Sequence, residues 1–164
     1  MGFVVLGIDP GSHATGYGVV ERDGARLRLL EGSVIRARES MQLADRLELI
    51  HRGVSTAIER FSPSSVAVEG IFYGLNARSA LLLGHARGVV LLAISQHGLS
   101  LHEYSPLEVK KAVVGYGAAQ KHQVQKMVKL LLGLSVEPAQ DAADAMAVAI
   151  CHCNSTQWQI ARHT

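Results

Sequence analysis

The chain has little of what marks a disulfide scaffold, a membrane protein or a polyelectrolyte. Its two cysteines, Cys151 and Cys153, lie one residue apart. They cannot staple distant parts of a fold, and a reduced, cytoplasmic setting is expected. No apolar run reaches the ~18 residues of a spanning helix, so no membrane association is expected. The opening stretch MGFVVLGID lacks the basic region and small-residue cleavage site of a signal peptide. There is no internal repeat, low-complexity segment or linker. Net charge is only +2, which by itself does not announce a polyanion as partner. What is present is a globular composition, 48% hydrophobic and 18% charged over 164 residues. That length suffices for one domain with its own core. The domain is placed at residues 1–154, with a polar, flexible tail expected at 155–164.

Phe3 to Ile8 reads as a buried strand, Pro10-Gly11-Ser12 as a turn, and Tyr17 to Glu21 as a second strand. Asp23-Gly24 signals a tight hairpin into a third strand, Leu27 to Ile35, with Glu31-Gly32 as its bulge. The period then changes. Leu43, Leu47, Ile50, Val54, Ile58 and Phe61 recur at helical steps, with Ser40 as the cap and Ser62-Pro63 as the stop. Strand Ser65–Glu69, helix Ala77–Gln96 ending at Gly98, and strand Leu101–Tyr104 follow. Ser105-Pro106 opens a short helix by cap and first-turn proline. Gly115 to Gly117 breaks it, and helices Lys121–Leu132 and Ala139–Cys151 close the series. The order β-β-β-α-β-α-β-α-α-α predicts an α/β fold. Its mixed five-stranded sheet is an antiparallel three-strand meander plus parallel strands, with helices on both faces.

Asp9 and Glu69 share a context: each ends a β-branched apolar run and precedes a glycine-containing turn. If their strands are parallel neighbours, both acids emerge at the sheet edge where open α/β sheets bind ligands. In PAQDAADAMAVAI, Asp141 and Asp144 are three apart and share one helix face. Singly, each acid has an ordinary explanation. Asp9 suits a turn, Glu69 a strand-end ion pair, and Asp141 and Asp144 the first turns of a helix. Jointly, no local rule puts acids at the ends of two core strands. Oxygen donors without paired histidines or cysteines point to a hard cation such as Mg²⁺. Two such ions about 3.5–4 Å apart can clamp a scissile phosphate.

From Leu107 to Leu132 five lysines (Lys110, Lys111, Lys121, Lys126, Lys129) face one acid, Glu108. This is either a solvated helical face or a phosphate-facing patch. Cys151-His152-Cys153 looks like a soft metal site, but adjacent helical residues point about 100° apart. Cys153 is read as packing and Cys151 as incidental. The eight histidines show no paired ligand spacing.

Four stretches in order resemble the motifs of RuvC-type Holliday-junction resolvases: GIDPGS…TGYGVV, VAVEGIFYGLNARSA, EYSPLEVKKAVVGYGAAQKHQVQKMV and DAADAMAVAICH. The resemblance spans nearly the whole chain. It implies an RNase H-like fold, a homodimer, and a nuclease that cuts four-way DNA junctions by symmetric nicks in recombination and repair. Two Mg²⁺ ions per site are implied, with Mn²⁺ as substitute, on Asp9, Glu69, Asp141 and Asp144 as catalytic and metal-binding residues. DNA contacts are implied at Phe72, Tyr73, Arg78, Lys110, Lys111 and Lys121, with Phe72 favoured for stacking on an unpaired base. A branch-migration complex of the RuvA and RuvB type is the implied partner. Some members carry histidine where this chain has Asp141. His13 stands where arginine is expected, and an imidazole is no guanidinium. Helix Ala77–Gln96, with Ala80, Gly84, Ala86 and Gly88, is either the dimer seam or a core helix.

Three rivals share parts of the pattern. ATP-binding proteins of the actin and sugar-kinase type share the Asp-x-Gly-Ser hairpin, but need a second such hairpin and a second domain. Other RNase H-like nucleases would show the same acids. A non-catalytic DNA-binding module would not keep four carboxylates that repel phosphate.

Overall fold

The computed structural model describes residues 2–70 and 76–161, with side chains through Thr156. Its elements are β1 (Phe3–Asp9), β2 (Ala14–Asp23), β3 (Arg26–Arg36), α1 (Leu43–Phe61), β4 (Ser65–Glu69), α2 (Ala77–Gln96), β5 (Leu101–Tyr104), α3 (Pro106–Val114), α4 (Lys121–Leu131) and α5 (Gln140–Ala161). The sheet order is β3-β2-β1-β4-β5. β1, β2 and β3 form the antiparallel meander, and β1–β4 and β4–β5 are parallel pairs.

β1 is central, and its residues alternate between two cores. Val5 faces a cluster with Val20, Ala67 and the apolar sides of α3, α4 and α5. Leu6 and Ile8 face the opposite cluster, with Val19, Val66, Val68 and the inner sides of α1 and α2. A strand buried on both faces is expected to be an unbroken apolar run, as FVVLGI is.

Local chemistry sets most ends. Ser105 accepts from the Glu108 amide while Glu108 returns a bond to the Ser105 amide, a full capping box. Ser62 closes α1 in the left-handed region, φ 43°, just before Pro63. Three expectations are corrected. α1 is capped at Gln42, without a side-chain bond, and not at Ser40. The bulge falls at Leu30, because Val19 pairs with Glu31 and Val20 with Leu29. Gly32 stays in register opposite Gly18, and Met146 fills the space both leave. α5 continues past Cys151 and through the expected tail to Ala161. No glycine or proline interrupts it, and Ser155 and Thr156 bond back to the carbonyls of Cys151 and His152 in helical fashion. No unbroken apolar run of spanning length is present, as expected, although by mean hydropathy α2 is long and apolar enough to cross a membrane. Here it packs on α1 and sends Ala86, Val90, Ala93 and Ile94 into the core.

α5 lies unusually close to the sheet. A Cβ on Gly7 of β1 would overlap the Ala145 carbonyl, and one on Gly16 of β2 would overlap the Asp141 carbonyl. The helix answers with small residues: Ala142, Ala143, Ala145, Ala147 and Ala149 are all buried. A side chain at Gly16 would therefore have to lift the helix. Gly16→Ala should cost on the order of 2–3 kcal/mol in urea unfolding. Gly88→Ala, at a helical position with nothing within 4 Å of the new methyl, should gain up to about 1 kcal/mol. Equal effects at the two positions would contradict this packing.

Candidate active site

Two strand ends and one helix build the site. Val68 of β4 lies opposite Ile8 of β1 in parallel register, so Glu69 and Asp9 leave the sheet side by side. Asp9 itself pairs with Gly16, the residue on which the first turn of α5 rests. That contact brings Asp141 and Asp144 to the same edge. All four carboxylates are partly buried.

Their fields overlap. Burial, and then the charges of Glu69, Asp144 and Asp141, push the Asp9 carboxyl up from 3.8 to about 7. Glu69 is raised by burial and by Asp144, against the lowering influence of Lys121, Lys110 and a hydrogen bond with Asp9. Asp144 is raised by burial, with Lys121 opposing. The Lys121 Nζ stands 3.8 Å from Asp144 Oδ2.

Beside the acids lies a cavity of about 290 Å³. Glu69, Asp144, Lys110 and Lys121 line it together with Val109, Val124 and Ala147. A second cavity of about 300 Å³ on the α1 side holds no comparable acid. Its one carboxylate, Glu31, is satisfied by the Tyr17 hydroxyl at 2.6 Å and by Arg60 at 2.7 Å.

Among the described residues no three His, Cys, Asp or Glu side chains stand close enough together to hold a metal ion as they are placed. The acidic edge still fits a hard divalent cation by donor type and by charge. It offers oxygen donors only, and burial, reinforced by the neighbouring carboxylates, raises the Asp9 carboxyl to about 7.

The family model for "Crossover junction endodeoxyribonuclease RuvC" matches residues 5–152. The chain belongs to this family. It is 49% identical to the enzyme of that name from Magnetococcus marinus, over 94% of this chain and 86% of that one. It is 52% identical to the one from Syntrophotalea carbinolica, over 92% and 93%. The structure of T. thermophilus RuvC in complex with Holliday junction substrate superposes with a TM-score of 0.90 at 36% identity, covering 96% of both chains. The fold is thus the α/β, RNase H-like fold of RuvC.

The other expected residues separate on this frame. Lys110 and Lys121 line the acidic cavity, while Lys126 and Lys129 line a separate depression with Leu130 and Leu134. The lysine run is therefore two surfaces, one of them facing the acids. Lys111 is exposed on α3, and Arg78 is exposed on the first turn of α2. Phe72 and Tyr73 lie outside the described residues. His13 is exposed, and its Nδ1 is 3.3 Å from Arg46 Nη1. Both cysteines are buried, so Cys151 packs as Cys153 does. Burial pushes their thiols up to about 12 and about 11. His152 is bonded to Ser65 Oγ at 2.9 Å and Tyr104 Oη at 2.7 Å, and burial lowers it to about 4. None of the three is a ligand in waiting.

Sequence reasoning missed Arg87. Its Nη1 donates to the main-chain oxygen of Glu69 at 2.7 Å, and its Nη2 pairs with Glu103. The available signal was a lone cation inside the apolar stretch ALLLGHARGVVLLAI.

A carboxyl raised on folding stabilises the fold while protonated and loses that contribution on ionising. For Asp9 the loss begins near its unfolded pKa of about 4 and levels off above about 7. In EDTA, Asp9→Asn should therefore melt several degrees above the parent at pH 8, the gap closing towards pH 4. Equal melting at pH 8 would show that Asp9 is not strained by its neighbours.

Proposed function

We propose that this chain resolves four-way DNA junctions by paired symmetric nicks in recombination and repair. The observation that carries this reading is four carboxylates with overlapping fields at one sheet edge, two of which, Glu69 and Asp144, share a cavity with Lys110 and Lys121. Carboxylates alone repel a phosphodiester, so this arrangement makes sense with a divalent cation between them. Asp9, Glu69, Asp141 and Asp144 would hold Mg²⁺, two ions per site, with Mn²⁺ as substitute. When bound, such ions activate water and stabilise the leaving oxygen. The chain's own residues do the rest. β1 and β4 hold Asp9 and Glu69 on rigid strand ends. Lys121 offsets Asp144 and, with Lys110, takes the phosphate backbone. Lys111 and Arg78 extend this contact, and Phe72 with Tyr73 meets the bases at the junction centre.

Two nicks require two sites, which a symmetric dimer supplies. The outer side of α2 suits the seam. Leu81 and Leu92 are 62% and 50% exposed there, and between them Gly84 and Gly88 have open space where a side chain would be. The working unit is then a homodimer of single nuclease domains, acting in the cytoplasm with a RuvA- and RuvB-type branch-migration complex.

A synthetic four-way junction with Mg²⁺, set against linear duplex and RNA–DNA hybrid, tests the reading. Junction cutting with the linear substrates intact is expected, whereas preference for the hybrid would point to another RNase H-like nuclease. Asp9→Asn should abolish cutting, by a factor of at least ~100, and leave junction affinity largely unchanged. Lys110→Ala and Lys121→Ala should each flatten the salt dependence of junction binding by about 0.9 in slope. Phe72→Ala should impair cutting more than folding, and full activity of that variant would remove the stacking role.

A further inference from the structure

Arg87 is a buried arginine, 7% exposed, in the middle of an apolar helix. A guanidinium there is costly to desolvate, and an aliphatic side chain of similar volume would stabilise at least as well. Its ion partner, Glu103, is 53% exposed, so the pair is not a sealed ionic core. The directed bond is the one to Glu69.

The main-chain oxygen of Glu69 sits where β4 runs out. Register with β1 stops at Ile8 opposite Val68. On the β5 side the next amide, Gly70, donates to the Tyr104 carbonyl at 2.8 Å. Arg87 takes the Glu69 oxygen at 2.7 Å from α2, and Glu103, which lies opposite Val68, holds the guanidinium in place. The peptide that follows the Glu69 side chain is thus gripped on both sides. Arg87 meets Glu69 at its peptide oxygen.

We propose that Arg87 is a positioning residue for Glu69. Its planar fork, set by Glu103, fixes the last peptide of β4 and so aims the Glu69 carboxylate at Asp9 and Asp144 for cation binding. Lysine offers the charge without the two-point geometry. This proposal rests on the reading of Glu69 as a metal-binding acid.

The test measures Mn²⁺ affinity without DNA, by electron paramagnetic resonance, for the parent, Arg87→Lys, Glu103→Gln and Val90→Ala. Melting temperature in EDTA is followed alongside. Val90 is fully buried on α2 in the apolar cluster against the sheet, and its truncation controls for general loosening of the helix. Arg87→Lys should weaken Mn²⁺ binding about 10- to 100-fold, as loss of a group that orients a metal ligand does, with Glu103→Gln intermediate. Val90→Ala should lower the melting temperature and leave Mn²⁺ affinity unchanged. In a Glu69→Gln background, Arg87→Lys should cost nothing further. Unchanged affinity in Arg87→Lys, or an equal loss in Val90→Ala, overturns the positioning role while the site stands. Absence of Mn²⁺ binding by the parent overturns the site reading itself, and this proposal with it.

Discussion

The contact between the backbone of α5 and the bare surface of β1 and β2 decides where the chemistry sits. Helices usually stand off a sheet by the length of interleaved side chains. Here Gly7 and Gly16 present no side chain, and the carbonyls of Ala145 and Asp141 occupy the space. The alanines of α5 keep the interface thin along its length. A helix held at ordinary distance would carry Asp141 and Asp144 away from Asp9. Short aspartate side chains can share an edge with a strand-end acid only because the backbones beneath them nearly touch. The glycines are therefore as much part of the site as the carboxylates.

The second consequence of that packing is electrostatic. Concentrating acids in a half-buried corner raises the energy of all of them, as the upward shifts of Asp9, Glu69 and Asp144 record. The chain offsets this with lysines from the two helices that pack on α5. Lys110 comes from α3 and Lys121 from α4, each anchored by apolar residues of its own helix, Val109 and Val124, in the core around α5. One cluster thus places both the acids and the cations that temper them.

Much of this was legible in the residues. FVVLGID and SVAVE carry both the burial and the terminal acid, so strand identity and site membership come from the same letters. Ser105, Pro106 and Glu108 specify a helix start almost without reference to the fold. The parts that were not legible depend on tertiary distance. Nothing in TGYGVV says that Gly16 faces a helix over 120 positions later rather than a turn. The polar run after Cys151 reads as a tail because its helical character lies in backbone bonds and in ties such as Asn154 to Arg22 and Ala112. Arg87 reads as an interruption of an apolar helix until the end of β4 is placed next to it. The lysine run is one feature in the sequence and two in space.

If Asp9 is a cation ligand, as proposed, its raised carboxyl would make cation uptake an exchange. At neutral pH a metal ion binding there would displace a proton from the protonated fraction of Asp9. Its apparent affinity then gains up to about a factor of ten per pH unit on the acid side of the Asp9 titration. The heat measured on binding will carry the ionisation heat of whichever buffer receives the proton. On the proposed reading, the corner that α5 builds against the sheet is an acid that would trade its proton for metal.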